Sequence, residues 1–244
     1  MLTLLKYDLR RKRERILIFI VIALLVQAAI WTSSSAVNIE LVSINASVYF
    51  VLAISFIFVA VSTYYRNLKS YQRRLLPVTP LQTILSPILF ALLLILMVIV
   101  IGLAHLGIYF LAYPMDFLPG NFVSIGVRCL LQTIWSTLFL MTIFMFSITA
   151  TLSLRFKGRV WAGIALCVLL ENLVSNFERL LFDSNYIGID NSYNFIIYEN
   201  NLRPASGITV RYLSTNQWPL LFEFAVASIL IYGMVVLLKK KIEL

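Results

Sequence analysis

The sequence predicts an all-α integral membrane protein that crosses the bilayer six times. Of its 244 residues, 61% are hydrophobic and only 13% are charged. Soluble domains carry about a quarter charged residues, so much of the surface of this chain must face lipid. The apolar residues also fall into six blocks, each approaching the roughly 20 residues that a helix needs to cross a bilayer.

The six blocks follow one another without a low-complexity linker, which favours a single membrane domain over residues 1–244. The predicted spans cover residues 16–31, 46–65, 84–113, 122–154, 160–182 and 219–238. Because the first span is short, we expect residues 1–15 to form an amphipathic helix along the membrane interface. The third and fourth spans are long and must tilt, kink or project into water. Residues 183–218 form the longest outer loop, which we expect to be partly ordered.

The basic N-terminus followed by an apolar run also fits a signal peptide. The apolar run is long, however, and the only candidate cleavage site is the small-residue stretch SSSA at residues 33–36. We therefore interpret this segment as a retained membrane span, with cleavage as the alternative.

Basic residues are concentrated on one side of the predicted membrane domain. Six spans place both termini and the loops after the second and fourth spans on the same side. That side holds 16 of the 20 Lys and Arg residues. By the positive-inside rule, both termini are cytoplasmic. The basic residues lie next to membrane ends, so they are expected to meet anionic lipid headgroups and not nucleic acid.

The residue inventory excludes several classes of chemistry. His105 is the single histidine, so a metal site with two histidine ligands cannot form. Cys129 and Cys167 both lie in apolar runs and indicate no disulfide framework. No lysine directly follows a glycine, so the chain has no P-loop for ATP. We therefore predict no catalytic residue and no metal site, and energy for any uphill transport must come from an ion gradient or another subunit.

The fifth predicted span contains the polar stretch ENLVSNFER, at residues 171–179. Helical spacing places its polar side chains on two adjoining faces: Glu171, Ser175 and Glu178 on one, and Asn172, Asn176 and Arg179 on the other. Such a helix should not face lipid. Two interpretations remain open, namely a substrate path or lateral opening, and a contact between subunits that is helped by an internal Glu–Arg pair.

Other polar residues in the spans have simpler interpretations. Glu223 either belongs to the same surface or reaches the headgroups. Arg128 is expected to reach the headgroups, with pairing to Glu171 as the alternative. We expect His105 to be packed or hydrogen-bonded within its helix bundle, with a proton relay as the alternative. The hydroxyl residues of the fourth span predict close helix packing first and a hydrophilic lining second; they are Thr133, Ser136, Thr137, Thr142, Ser147, Thr149, Thr151 and Ser153.

Two stretches of the sequence resemble those of a known family. The basic residues 2–17, LTLLKYDLRRKRERIL, are similar to the amphipathic N-terminal helix of type-2 ABC transporter permeases. Residues 75–94, LLPVTPLQTILSPILFALLL, resemble the family's segment between spans two and three, where a Leu-Pro-Val step precedes an apolar helix. The topology also agrees, with six spans, cytoplasmic termini and the longest outer loop between spans five and six.

The resemblance implies the membrane-spanning subunit of an exporter in the bacterial cytoplasmic membrane. Two copies of a separate ABC ATPase, which bind ATP and Mg²⁺, would drive a pair of permeases made of two identical or related chains. This chain would bind no cofactor itself. Small bacterial members of the family often carry antimicrobial peptides, other antibiotics or lipid-like molecules, which implies an amphipathic cargo and a role in antibiotic resistance or immunity.

The resemblance also implies where the ATPase docks. The cytoplasmic segment 66–82 would contain the coupling helix, with residues 71–76 as the docking element and a basic surround. The residues concerned are Arg66, Lys69, Tyr71, Arg73, Arg74, Leu75 and Leu76. The short loop 155–159 would be a secondary contact, and the family's short re-entrant helices near the outer loop would suit residues 171–179.

Three other functions compete with this one. A gradient-driven secondary transporter or channel could use His105, Glu171 and Arg128, although the sequence shows no inverted repeat of the kind such transporters carry. A membrane assembly or sensor subunit without transport activity is the second. An integral-membrane enzyme is the third, and the inventory of catalytic residue types disfavours it.

Overall fold

The computed structural model describes residues 2–33, 39–69, 79–112, 121–153, 158–182, 193–198, 207–212 and 218–241. Most of them lie in six helices. These are α1 (Leu2–Ser33), α2 (Ile39–Lys69), α3 (Pro80–Ala112), α4 (Phe122–Ser153), α5 (Arg159–Phe182) and α6 (Trp218–Lys241). Two short strands, β1 (Tyr193–Tyr198) and β2 (Gly207–Tyr212), lie between α5 and α6.

All six helices are long and apolar enough to cross a membrane, which confirms the predicted number of spans. The first four contain 32, 31, 33 and 32 residues. At about 1.5 Å per residue they measure roughly 46–50 Å, more than the approximately 30 Å of a hydrocarbon core. They must therefore tilt, kink or project beyond the core, as the sequence predicted for the third and fourth spans.

Helix α1 corrects one prediction. The interface helix expected at residues 1–15 is not a separate element, because α1 runs without a break from Leu2 to Ser33. The sequence of α1 contains neither glycine nor proline, and its Leu, Arg and Lys residues have high helix propensity. Nothing in the chain interrupts the backbone hydrogen bonds between the basic half and the apolar half.

Helix α3 begins where the sequence places a proline after a threonine. The backbone N–H of Gln82 donates to the Thr79 hydroxyl at 3.3 Å, and the Thr79 N–H donates to Gln82 Oε1 at 3.2 Å. These reciprocal bonds form a capping box, and Pro80 occupies the first helical position, where its missing N–H has no cost. The structure thus places the start of this helix at Pro80, four residues before the predicted third span begins at residue 84.

Successive helices run antiparallel, so the bundle has two distinct ends. Near one end Arg11 of α1 donates to Asn67 of α2, and near the other Gln27 of α1 donates to Asn45 of α2. The basic end holds the start of α1, α3 and α5 and the end of α2, α4 and α6. The far end holds the opposite termini of the same helices.

The main core is built from the five helices α1, α2, α3, α4 and α6. Fully buried side chains at its centre are Phe56, Tyr64, Ile84, Phe90, Leu94, Met141, Met145 and Met234. The hydroxyls of Tyr64 and Thr149 lie 2.6 Å apart, so a hydrogen bond ties α2 to α4 inside this core. Burying a polar group in the core is acceptable because it is paired.

Helix α5 lies at the edge of the bundle and packs on α4 and α6. A small second core joins the three, made of Phe139, Ile143, Val174, Ala227 and Leu230. The re-entrant helix that the resemblance suggested for residues 171–179 is not formed. The polar stretch belongs to the second half of one continuous helix, since no glycine or proline follows Gly163 before α5 ends at Phe182.

The segment between α5 and α6 adds an element that the all-α prediction misses. Strands β1 and β2 pair as an antiparallel ladder, with Tyr193 opposite Tyr212 and Tyr198 opposite Gly207. The sequences YNFIIY and GITVRY are rich in aromatic and β-branched residues, which favour strands. That composition was the available signal within the predicted outer loop at residues 183–218.

Candidate functional site

The polar stretch of α5 is largely exposed at the edge of the bundle. Only Val174 and Glu178 are buried among the side chains of this helix. The exposed polar side chains of the stretch are Glu171, Asn172, Asn176 and Arg179. We call these four residues the α5 polar face. They begin 12 residues after Arg159, about 18 Å along the helix, so the face starts near its middle.

Local hydrogen bonds hold the side chains of the α5 polar face. Asn172 and Asn176 each donate to a backbone carbonyl four residues earlier, both at 2.8 Å. Arg179 donates to the Asn176 side-chain oxygen at 3.4 Å. Within the part of the chain that the structure describes, the Glu171 carboxylate accepts no hydrogen bond. This carboxylate is therefore presented outwards from the helix.

An exposed carboxylate and two amides cannot rest against hydrocarbon without a large cost. Insertion of a single acidic or basic side chain at the centre of a spanning helix costs about 2.5–3.5 kcal/mol on translocon scales. The α5 polar face therefore needs another protein surface or a water-filled path beside it. Both interpretations from the sequence fit this geometry.

Glu178 has a different environment from the α5 polar face, although it shares a helical face with Glu171. Burial increases along that face, from exposed Glu171 through half-buried Ser175 to Glu178, which has 0% exposure. The reason is that α6 covers α5 near the far end, where the rings of Phe182 and Phe222 lie 6.1 Å apart. The structure therefore separates Glu178 from its exposed neighbours.

Glu178 meets a second fully buried carboxyl group, that of Glu223 on α6. The two carboxyl groups lie close enough to interact electrostatically, and Trp135 Nε1 of α4 donates to Glu223 Oε2. Glu223 Oε1 has no hydrogen-bond partner among the described residues. Glu223 thus belongs to the interior, and the alternative that it reaches the headgroups is wrong.

The chemistry of this carboxyl pair follows from its burial. Two adjacent buried negative charges would repel each other and lose their hydration. We infer that the Glu178–Glu223 pair holds at least one proton. Glu178 lies four residues from the far end of α5, and Glu223 lies five residues from the far end of α6. Their similar depth in the bundle was therefore a signal available from the sequence.

His105 lies in an aromatic cluster towards the far end of α1, α2 and α3. Its Nδ1 is 2.7 Å from the Tyr49 hydroxyl, and its ring contacts those of Trp31 and Tyr109 at centroid distances of 5.6 and 4.9 Å. Asn45 donates to the Tyr109 hydroxyl at 2.9 Å and joins the same cluster. The prediction of a packed, hydrogen-bonded histidine is confirmed.

The hydroxyl residues of α4 mostly bond to their own helix. Thr133, Thr137, Thr142, Ser147, Thr149 and Thr151 each donate to the carbonyl four residues earlier, at 2.7–2.9 Å. Five of them are also buried between helices, namely Thr137, Thr142, Ser147, Thr149 and Thr151. This arrangement favours the packing interpretation over a hydrophilic lining.

The predicted coupling residues fall at the basic end of the bundle. Arg66 is exposed at the end of α2, and the Lys69 ammonium lies 4.2 Å from the centre of the Tyr65 ring. The remaining coupling residues, Tyr71, Arg73, Arg74, Leu75 and Leu76, lie outside the described residues, as do residues 155–157 of the secondary contact loop 155–159. The structure therefore gives the flanks of the coupling segment, from Lys69 on one side to Thr79 on the other.

The proposed ion site of a secondary transporter is not assembled by the described contacts. His105 packs among side chains of α1, α2 and α3, whereas Glu171 lies on α5, which packs on α4 and α6. Arg128 is exposed on α4. Within the described ranges, no group of three His, Cys, Asp or Glu side chains is placed to hold a metal ion.

Comparison with protein-family models, with curated proteins and with solved structures finds no match for this chain.

Proposed function

We propose that this protein is a membrane-spanning permease subunit of an ABC exporter. It would act as one of two permeases driven by two copies of a separate ATPase subunit that binds ATP and Mg²⁺. The cargo would be an amphipathic molecule such as an antimicrobial peptide, another antibiotic or a lipid-like compound. Six apolar helices and the resemblance of residues 2–17 and 75–94 to type-2 ABC permeases support this class.

The α5 polar face is the observation that most directly supports a paired assembly. A single copy leaves Glu171, Asn172, Asn176 and Arg179 exposed at the edge of its bundle. A second permease placed against α5 would cover these side chains with protein, or enclose water and cargo between the two copies. Leu173 and Phe177 are exposed beside the α5 polar face, and this combination of polar and apolar side chains suits an amphipathic cargo.

The basic end supports the position of the ATPase. By the positive-inside rule this end is cytoplasmic, where ATP is available. The capping box at Thr79 and Gln82 fixes the start of α3, and Thr79 lies three residues after the proposed docking element 71–76. Force applied by the ATPase to residues 71–76 would therefore pass into a helix that packs on α1, α2, α4 and α6.

Cysteine cross-linking tests the paired assembly. Cys129 and Cys167 are first replaced by serine, and single cysteines are then introduced as Asn172→Cys and Asn176→Cys. The control is Val100→Cys, which places a thiol on an exposed apolar position of α3. In native membranes we expect covalent permease pairs from the α5 variants and none from the control. Absence of cross-links from both α5 positions would contradict a second copy of this chain packed at this face.

One observation favours a second function, a gradient-driven transporter. The Glu178–Glu223 pair places two buried carboxyl groups side by side inside the bundle near the far end. Under this alternative, transport in sealed vesicles would follow a proton gradient without ATP, and Glu223→Gln would abolish it. Under the ABC proposal, transport would require ATP on the cytoplasmic side whatever the gradient.

A further inference from the structure

An open groove lies between α1 and α2 in the half of the bundle nearest the basic end. It has a volume of about 600 Å³, which is within the range of small-ligand sites. Lys12 and Arg15 of α1 line one end of it, and Ile18 and Phe58 line its apolar part. Ile18 is 57% exposed and Phe58 is 70% exposed, so the groove opens towards the lipid.

The charged end of this groove carries more positive than negative charge. Lys12 is only 3% exposed, and the described charges that act on it are those of Arg11, Arg15, Arg66 and Asp8. Asp8 is fully buried and accepts a hydrogen bond from Asn67 at 3.3 Å, so part of its bonding capacity is used. Glu14 lies two residues from Lys12, nearly opposite on the helix.

Along the membrane normal, the groove has a charged end and then an apolar part, the same order as the headgroup and acyl chain of an amphipathic anion. Lys12 and Phe19 are seven residues apart on α1, and Ser55 and Ser62 are seven apart on α2, so the lined length is about 10 Å on each helix. Because the helices are antiparallel, Ser62 lies towards the charged end. The apolar side chains follow towards the membrane interior.

We propose that this groove binds one anionic phospholipid from the leaflet at the basic end. The headgroup phosphate accepts hydrogen bonds from Lys12 and Arg15, the Ser62 hydroxyl lies near the ester region, and an acyl chain lies along Ile18 and Phe58. Charge complementarity favours an anionic headgroup. A zwitterionic lipid would bring its own positive charge to a cluster that already carries an excess of positive charge. The apolar wall selects a lipid over a soluble phosphate.

This inference does not depend on the proposed function, because it concerns lipid binding by the chain itself. Native mass spectrometry of the purified full chain, with any subunits that co-purify, measures it. The probes are phosphatidylglycerol, phosphatidylcholine with the same acyl chains, and glycerol 3-phosphate as a soluble phosphate. The test variants are Arg15→Gln, Lys12→Met and Ser62→Phe, which fills the groove without changing the charge.

The matched control is Arg13→Gln, which removes one charge from the same turn of α1 outside the groove. We expect wild type to retain one phosphatidylglycerol and to bind phosphatidylcholine more weakly. Arg15→Gln and Lys12→Met should each weaken retention about five-fold, roughly the effect of one basic residue that contacts an anionic headgroup. Arg13→Gln should change retention less than two-fold. Ser62→Phe should weaken it with all charges present.

Three results would overturn the proposal. An equal loss from Arg13→Gln and Arg15→Gln would show a diffuse basic surface without a built site. Equal retention of the two lipids would remove the role of the headgroup charge. Displacement of the lipid by glycerol 3-phosphate would assign the basic pair to a soluble phosphate.

Discussion

At the scale of single residues, the polar side chains of the bundle fall into two groups. One group is satisfied within the protein, as in the Tyr64–Thr149 bond between α2 and α4 and the His105–Tyr49 bond between α3 and α2. The other group carries unused hydrogen-bonding capacity, as at exposed Glu171 and at buried Glu223. Because unsatisfied polar groups are costly in lipid, the residues of the second group are the candidate functional positions.

The Glu178–Glu223 pair leads to a prediction about stability. Glu223→Gln keeps an acceptor for Trp135 and a neutral group beside Glu178, so we expect the free energy of unfolding to change by less than about 1 kcal/mol. Glu223→Leu leaves the buried Trp135 N–H without its acceptor and should lower that free energy by about 1–3 kcal/mol. Denaturation of the purified chain in mild detergent measures both.

The control for this comparison is the same pair of substitutions at exposed Glu171. In the isolated chain, Glu171→Gln and Glu171→Leu should each change the free energy of unfolding by no more than about 0.5 kcal/mol. If Glu223→Gln destabilised the protein as much as Glu223→Leu, the carboxyl pair would need its full negative charge, and the shared proton would be wrong.

At the scale of helices and strands, hydropathy predicted the spans well because length and apolar content are local properties. The cap at Thr79 and Pro80 was equally readable, since its hydrogen bonds join residues three apart. The continuity of α1 was missed because the change from basic to apolar residues looked like a boundary, although the backbone has no reason to break there. The β1–β2 pair was missed because residues 183–218 were interpreted as a partly ordered outer loop.

The contacts between side chains of different helices were harder to predict from the sequence. Glu178 and Glu223 are 45 positions apart, and only the packing of α5 on α6 brings their carboxyl groups together. The groove between α1 and α2 depends in the same way on which faces of two helices meet. Periodicity places residues on a face of one helix, but it does not say which helix covers that face.

The coupling segment supports a prediction at this scale. The double variant Leu75→Asp/Leu76→Asp should insert normally, since both residues lie outside the predicted spans, yet it should lose ATP-driven transport. Two carboxylates would have to enter an apolar ATPase cleft, where burial of an unpaired charge is unfavourable. ATPase activity of the purified complex and transport into sealed vesicles measure the two halves of this coupling.

Ile242→Asp is the control, because it adds a carboxylate directly after the basic residues 239–241. It should leave both activities within about two-fold of wild type, the scale of a surface substitution. Normal ATP-driven transport by the Leu75→Asp/Leu76→Asp variant would show that the ATPase docks elsewhere.

At the scale of the whole molecule, charge and packing fit the subunit proposed above better than a self-contained transporter. Basic residues gather at one end, the core is formed by five helices, and α5 presents polar side chains at the edge of the bundle. The sequence holds no P-loop, so ATP-driven movement needs another chain. The polar face of α5 and the coupling segment are then the two surfaces at which partners are expected.

Isolation of the protein from its own cells in mild detergent tests this proposal most directly. Every stoichiometric companion is identified by mass. The ABC proposal predicts an ATPase with a P-loop in a one-to-one ratio with permease chains, and two permeases in each complex. A stable and repeatable complex without an ATPase would contradict it, and would shift the function towards gradient-driven transport or a role in assembly.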